Sequence, residues 1–136
     1  MTALPHARSL DEADRPKRML VVEDHPSIAE LISLWFTADG WEVAVAHSGP
    51  EGVARGVAFR PDVAVLDVML PGYGGLEVLR RLRVTDGALP VILSTAIDSE
   101  EDRRAATQAG ADAYLVKPWS LQTLQLTVDS LTTRDS

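Results

Sequence analysis

Hydrophobic residues in this chain fall into short solid runs separated by helical stripes. Met19 to Val22, Val63 to Leu66 and Val91 to Leu93 are uninterrupted apolar segments of strand length, and Ala113 to Val116 adds a further short one. Such runs fit strands buried on both faces. Trp41 to Ala46 instead alternates apolar and polar at its start, as a half-buried strand does. After Pro26, suited to a first helical turn, Ile28, Leu31, Ile32, Trp35 and Phe36 recur at helical spacing, and Gly40 follows as a stop. Gly49-Pro50 opens a second helix carrying Val53, Ala54 and Val57, and Leu76, Leu79 and Leu82 mark a third. Ser99 is placed to cap a fourth, with Asp102 in its first turn and Gly110 at its end. A last helix covers about Leu121 to Leu131. Five strands alternating with helices predict a doubly wound α/β fold, because right-handed crossovers put helices on both faces of a parallel sheet.

Composition narrows the picture. At 136 residues and 46% hydrophobic content the chain supports one core of ordinary size. Residues 1–17 mix charges of both signs with Pro5 and Pro16 and are expected to be a flexible tail. The domain proper is expected over 18–131, with 132–136 a C-terminal tail or the start of a linker. A formal charge of −7, from 13 Lys and Arg against 20 Asp and Glu, argues against direct nucleic acid contact by this domain. The apolar runs fall far short of the roughly 20 residues needed to cross a bilayer, so no membrane partner is expected. Without cysteine there is neither a disulfide framework nor a thiolate metal site, which fits a cytoplasmic setting.

The polar residues that end the strands are chemically unusual. The first strand ends in Glu23 and Asp24, the third in Asp67, the fourth in Ser94 and Thr95, and the fifth in Lys117. In open parallel sheets these carboxyl ends share one edge, where sites form. Carboxylates gathered there repel one another, and an all-oxygen cluster suits a hard ion such as Mg²⁺. A carboxylate beside Mg²⁺ can attack phosphorus to give an aspartyl phosphate, and Lys117 and the Thr95 hydroxyl could bind the remaining phosphoryl oxygens.

The chain resembles the response-regulator receiver family. The resemblance rests on Val21-Val22-Glu23-Asp24, on Val65-Leu66-Asp67-Val68-Met69-Leu70-Pro71-Gly72, on Ser94-Thr95-Ala96, and on Gly110-Ala111-Asp112-Ala113-Tyr114-Leu115-Val116-Lys117-Pro118. It covers about Arg18 to Leu131, with all four marks in order at strand ends. It implies a flavodoxin-like sheet of strand order 2-1-3-4-5 and a place in bacterial two-component phosphorelay signalling. Asp67 would be the phosphoacceptor. Glu23, Asp24, Asp67 and the Met69 backbone carbonyl would hold Mg²⁺, and Thr95 and Lys117 would contact the phosphoryl group. Thr95 and Tyr114 would form a switch acting on the surface of the fourth helix, fifth strand and fifth helix. The Lys117-Pro118 bond would be cis.

The implied partners are a sensor histidine kinase or phosphotransfer protein and, on phosphorylation, a second copy of the chain. The domain would catalyse only its own phosphorylation and dephosphorylation. Glu23 stands where many members have Asp, Trp119 where Phe is usual, and Tyr73-Gly74-Gly75 replaces a pattern with Asp before the last Gly, suggesting a looser turn. The stretch Met69 to Gly72 looks like receivers attached to winged-helix DNA-binding domains, while the last helix lacks the charged pattern those members use to dimerise. This leans toward a truncated chain. A haloacid-dehalogenase-like phosphatase would need a second Asp where Met69 stands, and a nucleotide-binding module would need a Gly-rich loop after the first strand. The competing reading is a phosphorylation-independent pseudo-receiver scaffold, which usually lacks the acceptor, the acidic pair or the lysine. His6, His25 and His47 lack metal-ligand spacing and are assigned no role.

Overall fold

The computed structural model describes residues 15–132. The tail expected over 1–17 lies outside the described residues except for 15–17, and the segment 132–136 except for Thr132. Five strands, β1 (Arg18–Val22), β2 (Glu42–Ala46), β3 (Val63–Asp67), β4 (Val91–Thr95) and β5 (Ala113–Val116), form one sheet. Its order is β2-β1-β3-β4-β5 and every pairing is parallel. Between the strands run α1 (Pro26–Ala38), α2 (Gly49–Phe59), α3 (Gly75–Thr85) and α4 (Glu100–Ala109), and α5 (Leu121–Thr132) follows β5.

Alternation along the strands divides the core into two layers. Leu20, Val22, Ala64, Leu66 and Leu93 face α2, α3 and α4, where they meet Val78, Leu79, Leu82 and Ala106. Met19, Val21, Val63, Val65 and Ile92 face α1 and α5, where they meet Ile32, Phe36, Leu124 and Val128. Each large side chain so buried contributes about 1.5–3 kcal/mol. Trp41 precedes β2 rather than opening it, and packs edge-on against Phe36 with ring centroids 6.1 Å apart.

Two helices bury only part of the face the apolar pattern picks out. In α1 the buried residues are Ala29, Ile32 and Phe36, while Leu31 is 57% exposed and Trp35 lies at the surface. The stripe is wider than the contact, so its flank faces solvent. In α2 the buried residues are Gly49, Gly52 and Gly56, and Ala54 and Val57 are exposed. A Cβ on Gly52 would stand 2.8 Å from a methyl of Val22, so the helix lies too close to β1 for any larger side chain there. The fourth helix is capped as expected, the Ser99 hydroxyl accepting from the Asp102 N–H at 3.0 Å.

The turn after Asp67 is packed closely rather than loosely. A Cβ on Gly75 would lie 2.4 Å from the Asp67 carbonyl oxygen, and the Gly75 N–H donates to the Val68 carbonyl at 3.0 Å. Arg81 stacks on the Tyr73 ring, 4.3 Å from its centroid. Close backbone approach thus explains the glycine at 75 and pins the segment leaving the end of β3.

Candidate functional site

The chain leaves β1 for β2 on one side and reaches β3 on the other, so a crevice opens at the carboxyl ends of β1 and β3. Glu23 and Asp24 follow β1 there. The Glu23 N–H donates to the Ala46 carbonyl at 2.9 Å, extending the β1–β2 pairing by one residue and fixing the carboxylate's root. Asp67 ends β3 and is only 5% exposed. Across the sheet, Thr95 ends β4, and its carbonyl accepts from the Lys117 N–H at 2.7 Å. The Lys117-Pro118 bond is cis.

These side chains meet. The Lys117 ammonium donates to Asp67 Oδ2 at 3.1 Å and to Glu23 Oε1 at 3.3 Å. The second Glu23 oxygen accepts from the His25 N–H at 3.0 Å, and Asp67 Oδ1 accepts from the Met69 N–H at 3.1 Å. Burial pushes the Glu23 carboxyl above its ordinary range, and the charge on Asp67 pushes it further; the His25 N–H and Lys117 oppose this without cancelling it. For Lys117, burial alone would lower the amine's pKa, but the hydrogen bonds and charges of Asp67 and Glu23 outweigh burial and raise it. The amine therefore stays charged between the two carboxylates.

Three carboxylates against one amine leave two charges uncompensated, the charge of one divalent cation. Among the described residues, the group whose potential ligand atoms lie close together is Glu23, Asp24 and His25, all within 4.8 Å of one another. Asp67, expected from the sequence as a ligand, is not in that group; the Lys117 amine joins it to Glu23 instead. The carboxylate oxygens fit a hard cation, and an imidazole beside them is a donor suited to transition metals. The Met69 N–H bond brings that peptide to the Asp67 carboxylate, while the Met69 side chain is exposed.

Beyond the acidic centre, the backbone of one residue links the two residues expected to switch. The Ile97 N–H donates to the Thr95 hydroxyl oxygen at 3.1 Å, and the Ile97 carbonyl accepts from the Tyr114 hydroxyl at 3.0 Å. Arg103 lies over the Tyr114 ring, 4.9 Å from its centroid, and pairs with Asp98 at 2.8 Å. His25 is set aside on sequence for want of metal-ligand spacing, although its ring lies with Glu23 and Asp24, and Ile97 is not singled out there. Adjacency to the acidic pair could have flagged His25. Ile97 contributes only backbone groups, which any residue would supply.

Comparison with known proteins agrees with this fold. The profile of the Response regulator receiver domain family matches residues 19–129. The chain is 43% identical over 120 residues to the probable transcriptional regulatory protein TcrX of Mycobacterium tuberculosis, covering 88% of this chain and 51% of that protein. It is 43% identical over 121 residues to the transcriptional regulatory protein TrcR of the same organism, covering 89% and 47%. The chain thus spans about half the length of the curated relatives it matches. Among solved structures, the Francisella response regulator 1452 receiver domain superposes with a TM-score of 0.81 at 33% identity, covering 88% of this chain and 99% of that one. A CheY-like receiver domain protein from Methanospirillum hungatei gives 0.83 at 28% identity, covering 88% and 97%. The fold, the residues gathered at its switch point and these relatives agree: the chain belongs to the response regulator receiver domain family.

Proposed function

We propose that this domain is a signalling switch that accepts a phosphoryl group on Asp67 from a sensor histidine kinase or phosphotransfer protein. The observation that carries this reading is the Lys117 ammonium held 3.1 Å from the Asp67 carboxylate and 3.3 Å from Glu23 at the sheet's switch point. A carboxylate so placed has a cation beside it that can bind the oxygens of an incoming phosphoryl group. In the transfer, a bond forms between an Asp67 oxygen and phosphorus as the bond from phosphorus to the donor's nitrogen breaks. Catalysis rests on positioning and charge, and no side chain need act as a strong base. Thr95 donates its hydroxyl hydrogen to a phosphoryl oxygen, and its movement toward that oxygen draws it away from the Ile97 N–H.

Glu23, Asp24, Asp67 and the Met69 carbonyl are the groups we assign to Mg²⁺. Bound there, the ion supplies charge neutralisation to the transferring group. The two charges left uncompensated by Lys117 favour this assignment. When Thr95 shifts, Tyr114 loses the arrangement that Ile97 gives both, which alters the α4–β5–α5 surface offered to a partner or second copy. The domain acts on its own phosphorylation state and turns over no other substrate. We place it in the cytoplasm, and its net charge of −7 favours an output passed on without direct nucleic acid contact by this domain. Retention of the acceptor, the acidic pair and the lysine weighs against a phosphorylation-independent scaffold, and the relatives' names favour a transcriptional output.

Incubation with acetyl phosphate and Mg²⁺ tests the reading. Intact-mass measurement should find one added phosphoryl group in the wild type and none in Asp67→Asn. Equal labelling of the two proteins would sink the assignment.

A further inference from the structure

The loop from β5 to α5 holds a contact that the proposed chemistry does not use. Trp119 stands two residues beyond Lys117, and its indole N–H donates to the Ser94 hydroxyl at 2.8 Å. Ser94 is 2% exposed and lies in register with Asp67 across the β3–β4 pairing. Its carbonyl accepts from the Val68 N–H at 2.9 Å. One residue of β4 is therefore bonded both to the segment that leaves Asp67 and to the loop that carries Lys117. Alternation puts Ser94 on the α1 and α5 side of the sheet with Ile92, opposite to Thr95. There the indole packs beside Leu121 and Ile28, lining a small apolar groove along Lys117.

Packing alone would not require this side chain. A phenyl ring could occupy the same layer but has no N–H to donate. The bond adds direction to the packing, which matters because Lys117 reaches the site on a flexible four-carbon stem. Only the root of that stem is fixed by the backbone, and one position of the root lets the amine reach both carboxylates at once, at 3.1 and 3.3 Å; a displaced root must be offset by rotation of the stem.

We propose that Trp119 is a positioning residue for Lys117: its hydrogen bond to Ser94 ties the β5–α5 loop to β4 and so sets where the lysine amine stands relative to Asp67. The assignment rests on the reading of Asp67 as phosphoacceptor. Loss of the indole N–H takes a partner from the buried Ser94 hydroxyl, loss of the hydroxyl takes one from the half-buried indole, and in either case the loop loses its tie to β4.

Single-turnover phosphorylation by acetyl phosphate at saturating Mg²⁺ tests this in Trp119→Phe, Ser94→Ala, Ser94→Thr and the Trp119→Phe/Ser94→Ala double variant. Trp119→Phe and Ser94→Ala should each be slower by about three- to tenfold, the range expected for one lost hydrogen bond. The double variant should be no slower than either single one, because both remove the same bond. Ser94→Thr keeps the hydroxyl and should recover most of the rate. In ¹H–¹⁵N spectra the Trp119 indole signal, identified by its loss in Trp119→Phe, should move in Ser94→Ala and hold its place in Ser94→Thr. A purely structural role would lower melting temperatures while leaving rates unchanged where all variants are folded, and that result overturns the proposal. So do additive losses in the double variant. A wild type that takes up no phosphoryl group overturns the phosphoacceptor reading and this inference with it, whereas labelled wild type with equally fast variants overturns the inference alone.

Discussion

Glu23 is a costly group to ionise, because it is buried beside Asp67 with a single amine shared between them. Its carboxyl is raised above the ordinary value of 4.5, chiefly by burial and further by Asp67. A raised carboxyl contributes stability that is complete below 4.5 and is lost as pH rises through the folded value. In metal-free buffer the wild type should therefore lose stability relative to Glu23→Gln as pH rises from below 4.5 to neutrality. Urea denaturation of both proteins across that range measures it; a difference that does not change with pH contradicts the account. At this scale much of the site was legible in the sequence. Glu23, Asp24, Asp67 and Lys117 each follow an apolar run, and the ends of parallel strands share an edge. The Trp119–Ser94 bond was not legible, since an aromatic after Lys-Pro reads as packing until its N–H is seen to have a partner.

α2 owes its place to residues that leave no hydrophobic signal. Val53 and Val57 suggest its inner face, yet the helix settles on Gly49, Gly52 and Gly56. Apolar patterning counts side chains, and a surface made of missing side chains is invisible to it. The same limit explains α1, where the small Ala29 is buried and the large Leu31 is not. β1, β3 and β4 are legible almost to their ends because they are buried on both faces and so are solidly apolar, whereas the edge strands β2 and β5 are only partly buried. Gly52→Ala separates the two influences on α2. Alanine gains about 1 kcal/mol in helix propensity, but its Cβ meets both Val22 methyls at 2.8 and 2.9 Å. Valine is stiff about χ1 and cannot turn away, so overpacking of about 1–3 kcal/mol should win. Thermal or urea denaturation should show a net loss of about 1 kcal/mol for Gly52→Ala. Gly87→Ala, with nothing within 4 Å of the new Cβ, should stay within about 0.5 kcal/mol of wild type. A stabilised Gly52→Ala protein would mean that α2 can move away from β1.

Across the whole molecule, charge arriving at Asp67 must be felt on the far side of β4 for the domain to signal. Ile97 touches both residues proposed to switch, its N–H bonded to Thr95 and its carbonyl to Tyr114. A shift between two pre-existing arrangements of this kind needs only a few kcal/mol of differential binding. Beryllofluoride with Mg²⁺ should mimic the phosphoryl group, and amide shifts recorded by NMR should extend from Asp67 through Thr95 and Ile97 to Tyr114 and α4. Changes confined to residues around Asp67 would mean binding without switching. The claim on which all of this depends is the identity of the phosphorylated residue, and chemical mapping tests it most directly. Borohydride reduces an aspartyl phosphate to homoserine and leaves free carboxylates unchanged. After treatment with acetyl phosphate and Mg²⁺ and then borohydride, tandem mass spectrometry should find homoserine at position 67 alone. Homoserine at another position, or an intact Asp67 in protein that has taken up a phosphoryl group, would contradict the account.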